Sequence, residues 1–273
     1  MTKYQPPVKR VDRGRYHYYT DANNQRIPGV TTILDKGIPK PQLITWAANA
    51  TAEGAIDNWD SLSDLPVAAR LKALQNIRYE VTNTAKNKGT LIHGLADQIV
   101  QGQQVGDIPD NLRPYLENYV AFIDAWKLDP ILVEVVIVNY THGYAGTLDL
   151  IADITGISGE RERWLLDIKT GEKGIYAETA LQLAAYRAAE YYVDQNGDEQ
   201  PMIGVEHCGA IHLTADDALL VPTVSDHEQL LMFRIAGKVA DYDNDKDGLV
   251  LPPIRPPASG GAVPRIVWEG DQR

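Results

Sequence analysis

Cysteine occurs once in these 273 residues, at Cys208, so no internal disulfide can form and no metal cluster held by four cysteines can assemble. No apolar run approaches the ~20 residues that cross a bilayer. Residues 1–7, Met-Thr-Lys-Tyr-Gln-Pro-Pro, lack the apolar core of a secretory signal, and a cytoplasmic location is expected. No Gly-rich phosphate loop is present, which argues against a Walker-type nucleotide site. No Gly-x-Ser-x-Gly elbow supports a serine hydrolase. His-x-x-x-His zinc helices, helicase motifs and internal repeats are missing too. Positive charge is also in deficit. A formal charge of −11 argues against a protein that coats nucleic acid non-specifically. It leaves room for a local basic track, and the first fifteen residues carry Lys3, Lys9, Arg10, Arg13 and Arg15 against Asp12 alone. Lys86 and Lys88 are the other candidates for meeting phosphates.

What is present is an ordinary globular balance of 44% hydrophobic and 23% charged residues, in a chain long enough for a substantial core. Residues 16–34 read as a hairpin around the Asp21-Ala22-Asn23-Asn24 turn, with 27–34 as its second strand. Helical spacing marks 41–55, 66–82, 90–100 and 112–126, with a turn at Gly89-Thr90 that places His93 in the first turn of the third helix. The period then falls to two. Strands are expected over 131–139, 145–154 and 163–170, joined by short linkers as an antiparallel meander. A helix over 176–192, strands over 205–213 and 219–224, and a helix over 226–242 follow. The Pro/Gly-rich stretch from Pro252 to Pro264 reads as an extended tail. The expected class is α/β, with helices packed on a central mixed sheet. The expected division is an N-terminal hairpin and helical segment (1–88), a core (89–245) and a C-terminal tail (246–273).

The chemistry concentrates in the meander. Asp149 lies in Thr147-Leu148-Asp149-Leu150-Ile151 and Asp167 in Trp164-Leu165-Leu166-Asp167-Ile168. An acid among such neighbours is costly unless paired or metal-bound. Lys169 projects on the same strand face as Asp167. Carboxylate oxygens suit Mg²⁺ or Mn²⁺, and an ammonium group beside such an ion can stabilise a phosphodiester under attack. Asp167 paired with Lys169 as a plain salt bridge is the ordinary alternative. His93 is a third candidate ligand, although a lone histidine on an apolar helix edge is more often a core residue satisfied by a neighbour such as Asp97. Gln182 and Tyr186, four apart on one helix face, could orient Lys169 or meet substrate, or simply form a polar edge. Glu134, inside the first strand, is a candidate further ligand or an acid behind the ligands. Asp153 reads as strand-end polarity.

Taken together, Gly-Thr-x-x-His at 89–93, Gly-x-x-Asp at 146–149, Asp-x-Lys at 167–169 and Gln-x-x-x-Tyr at 182–186 resemble the PD-(D/E)XK nuclease superfamily, in its RecB-type exonuclease branch. The segment from Pro28 to Leu34 followed by Trp46 is similar to the opening of compact phage-type members. The resemblance implies a restriction-endonuclease-like core with helical N-terminal additions. It implies that His93, Asp149, Asp167 and the Ile168 carbonyl bind Mg²⁺ or Mn²⁺, that Lys169 is catalytic, and that Gln182 and Tyr186 support the site. Leu148 stands where many members have proline. The iron–sulphur cluster of some members is excluded by the single cysteine. The implied activity is metal-dependent DNA exonuclease, in phage or bacterial recombination, replication or repair, leaving 5′-phosphorylated ends. Its expected partners are DNA ends and a recombinase, single-strand-binding protein or helicase. The alternatives are a structure-specific endonuclease of the same fold, a non-catalytic DNA-binding recombination accessory protein, or an RNA-directed nuclease.

Overall fold

Short alternating strands open the chain. Lys9–Arg13 (β1), Tyr16–Thr20 (β2) and Arg26–Ile27 (β3) form a three-stranded antiparallel sheet. The structure is a computed structural model that describes residues 3–14, 16–172, 174–245 and 249. Apart from Leu249, the tail expected at 246–273 lies outside the described residues, as does Arg15.

The expected second hairpin strand is replaced after β3 by a helix, Val30–Gly37 (α1). The β-branched run Val30-Thr31-Thr32-Ile33 favours a strand locally, but Val30, Ile33, Leu34 and Gly37 fall on one helical face and are buried together. Tertiary packing outweighs propensity here. Gly37 lies so close to the Ala236 backbone that no side chain fits between. Gln42–Asp57 (α2) and Trp59–Ser63 (α3) lead to Val67–Val100 (α4). The two helices expected over 66–82 and 90–100 are therefore one, and no turn forms at Gly89-Thr90. Gly89 is instead the point where the helix passes Thr170, whose Oγ1 lies 3.3 Å from where a Cβ would stand. His93 thus sits in the C-terminal part of a long helix. The stripe expected over 66–82 is covered only in part, since Leu71 and Val81 are exposed while Leu74 and Ile77 are half-buried. Leu91 also points outward.

Arg113–Trp126 (α5) precedes the meander of Asp129–Asn139 (β4), Tyr144–Thr155 (β5) and Arg161–Lys169 (β6). Glu178–Arg187 (α6) is shorter than expected, because Tyr191–Val193 (β7) leaves it to pair with β4. Glu199–Pro201 (β8), His207–Leu213 (β9), Ala218–Pro222 (β10) and His227–Asp245 (α7) complete the described chain. The main sheet has the order β10-β9-β6-β5-β4-β7-β8, with β6 and β9 parallel and the remaining pairs antiparallel. It is a mixed sheet with helices on both faces.

Two cores result. On one face α4 and α5 bury Ile92, Ala96, Leu116, Tyr119 and Phe122 against Leu150, Ala152, Leu166 and Ile168. On the other, α1, α6 and α7 bury Val30, Ile33, Leu183, Tyr186 and Phe233 against Ile137, Leu148, Ile151 and Leu165. Strict alternation would put Leu148 and Leu150 on one face. They belong to opposite cores, as do Val135 and Val133 across from them. Both strands change face at the same level, at Asp149 and Glu134. Glu134 takes a left-handed backbone (φ 49°) there, a conformation worth about 1–3 kcal/mol of strain for a non-glycine residue. The small N-terminal sheet covers the other end of β4 and β5, packing Tyr4, Val8, Tyr19 and Ile27 on Val138 and Ala145. Among the described residues no helix is long and apolar enough to cross a membrane.

Candidate active site

Beside the crossover, β5 and β6 part company. Their ladder pairs run from Thr155↔Arg161 to Leu150↔Leu166 and stop. The next inward amide, that of Ile168, donates instead to Asp149 Oδ2 at 2.8 Å. A carboxylate thus takes the place of a ladder carbonyl and holds the strands apart. Asp167 and Lys169 point toward α6. Lys169 Nζ lies 2.6 Å from Asp167 Oδ2, and Gln182 Nε2 donates to Asp167 Oδ1 at 2.7 Å. Gln182 also accepts from Lys169 Nζ through Oε1 at 3.2 Å and donates to the Tyr186 hydroxyl at 3.3 Å. Asp167 is 2% exposed. Its Oδ2 is held by the Lys169 ammonium.

His93 arrives from α4 on the other side, with Nδ1 3.5 Å from Asp149 Oδ2. The motif residues His93, Asp149, Asp167, Lys169, Gln182 and Tyr186 therefore meet at one place, although 93 positions separate the first from the last. Glu134 stands across from Asp149 but turns outward, where Arg10 Nη1 donates to its Oε1 at 2.9 Å. The Ile168 side chain is buried in the core. Asp97 feels the charge of Glu134. Asp153 lies away from the site, paired with Arg163 through two bonds of 2.8 and 3.1 Å. Among the described residues, no three His, Cys, Asp or Glu side chains are already gathered closely enough to enclose a metal ion.

The electrostatics follow from burial and crowding. Asp149 has its pKa raised well above the ordinary carboxylate value, first by burial and then by the neighbouring Asp167 charge. Lys169 and the Ile168 amide oppose this without cancelling it. Burial pulls Lys169 down, but Asp167 and Asp149 outweigh it and its pKa lies above the ordinary lysine value. Lys169 therefore keeps its proton. Burial lowers His93 despite the pull of Asp167 and a hydrogen bond to the Ile168 backbone, so the imidazole is held neutral. Burial, then the Glu134 charge, lifts Asp97 to about 7.

Some neighbours of the site were invisible to sequence reasoning. Thr147 Oγ1 meets the Tyr19 hydroxyl at 2.8 Å and Arg10 Nη1 at 3.3 Å, which brings β1 and β2 to the strand of Asp149. Thr147 stands two residues from Asp149 in the same motif, the one sequence signal available. Gly146 carries a requirement of its own, since a Cβ there would lie 2.6 Å from Tyr186 Cε1. The glycine of one motif makes room for the tyrosine of another. Compared with known proteins, the chain matches no family model and no curated protein.

Proposed function

We propose that this chain is a divalent-metal-dependent deoxyribonuclease of the PD-(D/E)XK superfamily, similar to the RecB-type exonucleases and acting on DNA ends. The observation that carries the proposal is the convergence of His93, Asp149, Asp167, Lys169, Gln182 and Tyr186 where β5 and β6 separate. The order of helix, three-stranded meander, helix and parallel strand supports the same reading.

The donor set fits Mg²⁺ or Mn²⁺. Asp149 is held in a state that a cation would relieve, Asp167 is a buried carboxylate held in place by Lys169 and Gln182, and His93 presents a neutral imidazole. An imidazole in the set favours Mn²⁺. His93, Asp149, Asp167 and the Ile168 carbonyl would hold the ion, which supplies Lewis-acid activation of water and charge neutralisation at the phosphate. Lys169, protonated, donates to a phosphate oxygen as negative charge builds there. Gln182 fixes Asp167 and Lys169 relative to each other, and Tyr186 fixes Gln182.

A rim of cations and aromatic rings adjoins the site in this net acidic chain. Tyr16 is 76% exposed, and Lys86 Nζ lies 5.9 Å from its ring centre. His17 feels the charges of both Arg10 and Lys86. Stacking faces beside cations suit single-stranded nucleic acid. Lys88 is otherwise engaged, donating to the Tyr115 hydroxyl at 2.7 Å.

The test is cleavage of end-labelled linear DNA against closed circles, with Mg²⁺ or Mn²⁺ and with chelator. Metal-dependent loss of linear DNA with circles spared is expected, and Lys169→Ala should abolish it. Cut circles would favour the endonuclease. DNA binding without cleavage by either metal would favour the accessory protein.

A further inference from the structure

Lys169 and Gln182 also form one wall of a cavity of about 350 Å³ on the α6 side of the site. Thr31, Leu34 and Asp35 of α1 form a second wall, and Tyr176 and Glu178 a third. This volume lies near the lower end of small-ligand pockets, about 300–1,000 Å³, so it suits one nucleotide and not a duplex. Tyr176 is 54% exposed and offers a ring face, while Leu34 supplies an apolar surface. At the rim, Lys40 Nζ bridges Asp35 at 2.7 Å and Glu178 at 3.3 Å. Two rim carboxylates thus share one ammonium, while the Lys169 ammonium on the first wall is taken up by Asp167. A strand continuing through the cavity would bring its next phosphate against those carboxylates. A terminal 3′-hydroxyl would instead donate a hydrogen bond to one of them.

The position of the cavity gives it a direction. The sheet order is β6-β5-β4. The cavity opens beside Lys169 on β6, whereas the cationic and aromatic rim meets the site through Arg10 and Glu134 on β4. A strand crossing the sheet from that rim passes the carboxylates and ends in the cavity.

We propose that this cavity receives the 3′-terminal nucleoside of a DNA strand, so that the enzyme removes one nucleotide at a time from 3′-hydroxyl ends. The inference rests on the nuclease reading above. Water oxygen bonds to the phosphorus next to the terminal nucleoside, and the bond from that phosphorus to the 3′ oxygen of the preceding nucleotide breaks. The water proton passes to solvent, and the departing 3′ oxygen takes up a proton. The products are a deoxynucleoside 5′-monophosphate and a strand shortened by one, again ending in a 3′-hydroxyl.

The experiment compares linear DNA ending in 3′-hydroxyl with the same DNA ending in 3′-phosphate, with product sizes read from either label. Wild-type protein should release mononucleotides from the 3′-hydroxyl substrate and act at least about ten-fold more slowly on the 3′-phosphate, as expected for a negative charge brought against two carboxylates that share one ammonium. Asp35→Asn with Glu178→Gln should shrink that discrimination. Tyr176→Ala should weaken inhibition by dAMP by about ten-fold, the loss of one base–aromatic stack. Equal rates on both ends, release from 5′ ends alone, or cutting of circles without mononucleotide release would overturn the cavity assignment while leaving the nuclease intact. If no DNA is cleaved with either metal, the nuclease reading fails, and calorimetric titration with dAMP decides the cavity separately. Binding that Thr31→Trp or Tyr176→Ala removes would keep it as a nucleotide site, and no binding to wild-type protein would overturn it.

Discussion

Replacing Gly146 by alanine adds one methyl group, and its consequences can be traced atom by atom. The new Cβ would stand 2.6 Å from Tyr186 Cε1 and 3.4 Å from Ile137 Cδ1. A carbon–carbon approach that close must be relieved, and Ile137 and Tyr186 are both buried, so neither side chain can swing into solvent. Overpacking of this kind costs about 1–3 kcal/mol. For a chain of this size that corresponds to a fall in Tm of about 2–10 °C. The effect on activity should be larger in proportion. Tyr186 holds Gln182, and Gln182 holds both Asp167 and Lys169. Misplacing reacting groups by about 1 Å can cost ~100-fold in rate. Thermal unfolding and rate of DNA hydrolysis should be measured for Gly146→Ala, Tyr186→Leu and the double variant. The double variant should regain part of the Tm lost by Gly146→Ala, because Leu lacks the atoms that clash, while activity stays low. Full stability and wild-type rate in Gly146→Ala, or strictly additive Tm losses in the cycle, would refute the coupling.

Three further outcomes follow from the electrostatics and burial. Asp149→Asn should unfold at no lower temperature than wild type without metal, yet lose at least about 100-fold in hydrolysis. Since the folded pKa of Asp149 is raised, ionised Asp149 weakens the fold at neutral pH. Any Tm advantage of the variant should therefore shrink as pH falls toward the ordinary carboxylate range, which a Tm–pH series would check. Asp153 has the opposite sign. Hydrogen bonds from Arg163 hold its pKa below the ordinary value. Asp153→Asn should lower Tm at neutral pH, and the gap should close as acid protonates Asp153 in the wild type. Cys208 is 4% exposed, and burial pushes its thiol up to about 11. It should react slowly with a disulfide reagent at pH 8 and quickly in denaturant. Fast reaction in the native state would contradict the packing of β9.

The meander was legible because period two and short linkers leave few other arrangements, and the four motifs named the residues that meet around Asp167. Other features leave no such mark. Val30–Gly37 carries strand-forming residues but folds as a helix whose apolar face packs on the sheet, α6 and α7. Gly89 punctuates the sequence but not the helix, which runs through it where it passes Thr170. β7 and β8 are three residues each, too short to announce a period. The turn at Glu134 was hidden because a positive φ at a non-glycine residue is imposed by its surroundings. The pairing of Arg10 with Glu134 spans 124 positions and has no local signature.

The change of face at Glu134 and Asp149 bears on how the molecule comes apart. On one side of the crossover each of these two strands gives side chains to one of the two large cores and to the cluster under the N-terminal sheet, and beyond it to both large cores. Neither core can be exposed while the other stays sealed, because the same two backbones would have to be kept and surrendered at once. The amides of β4 and β5 should then exchange with solvent deuterium as one group, at the free energy of global unfolding. The carboxylates at the crossover are thereby anchored in the part of the fold that opens last.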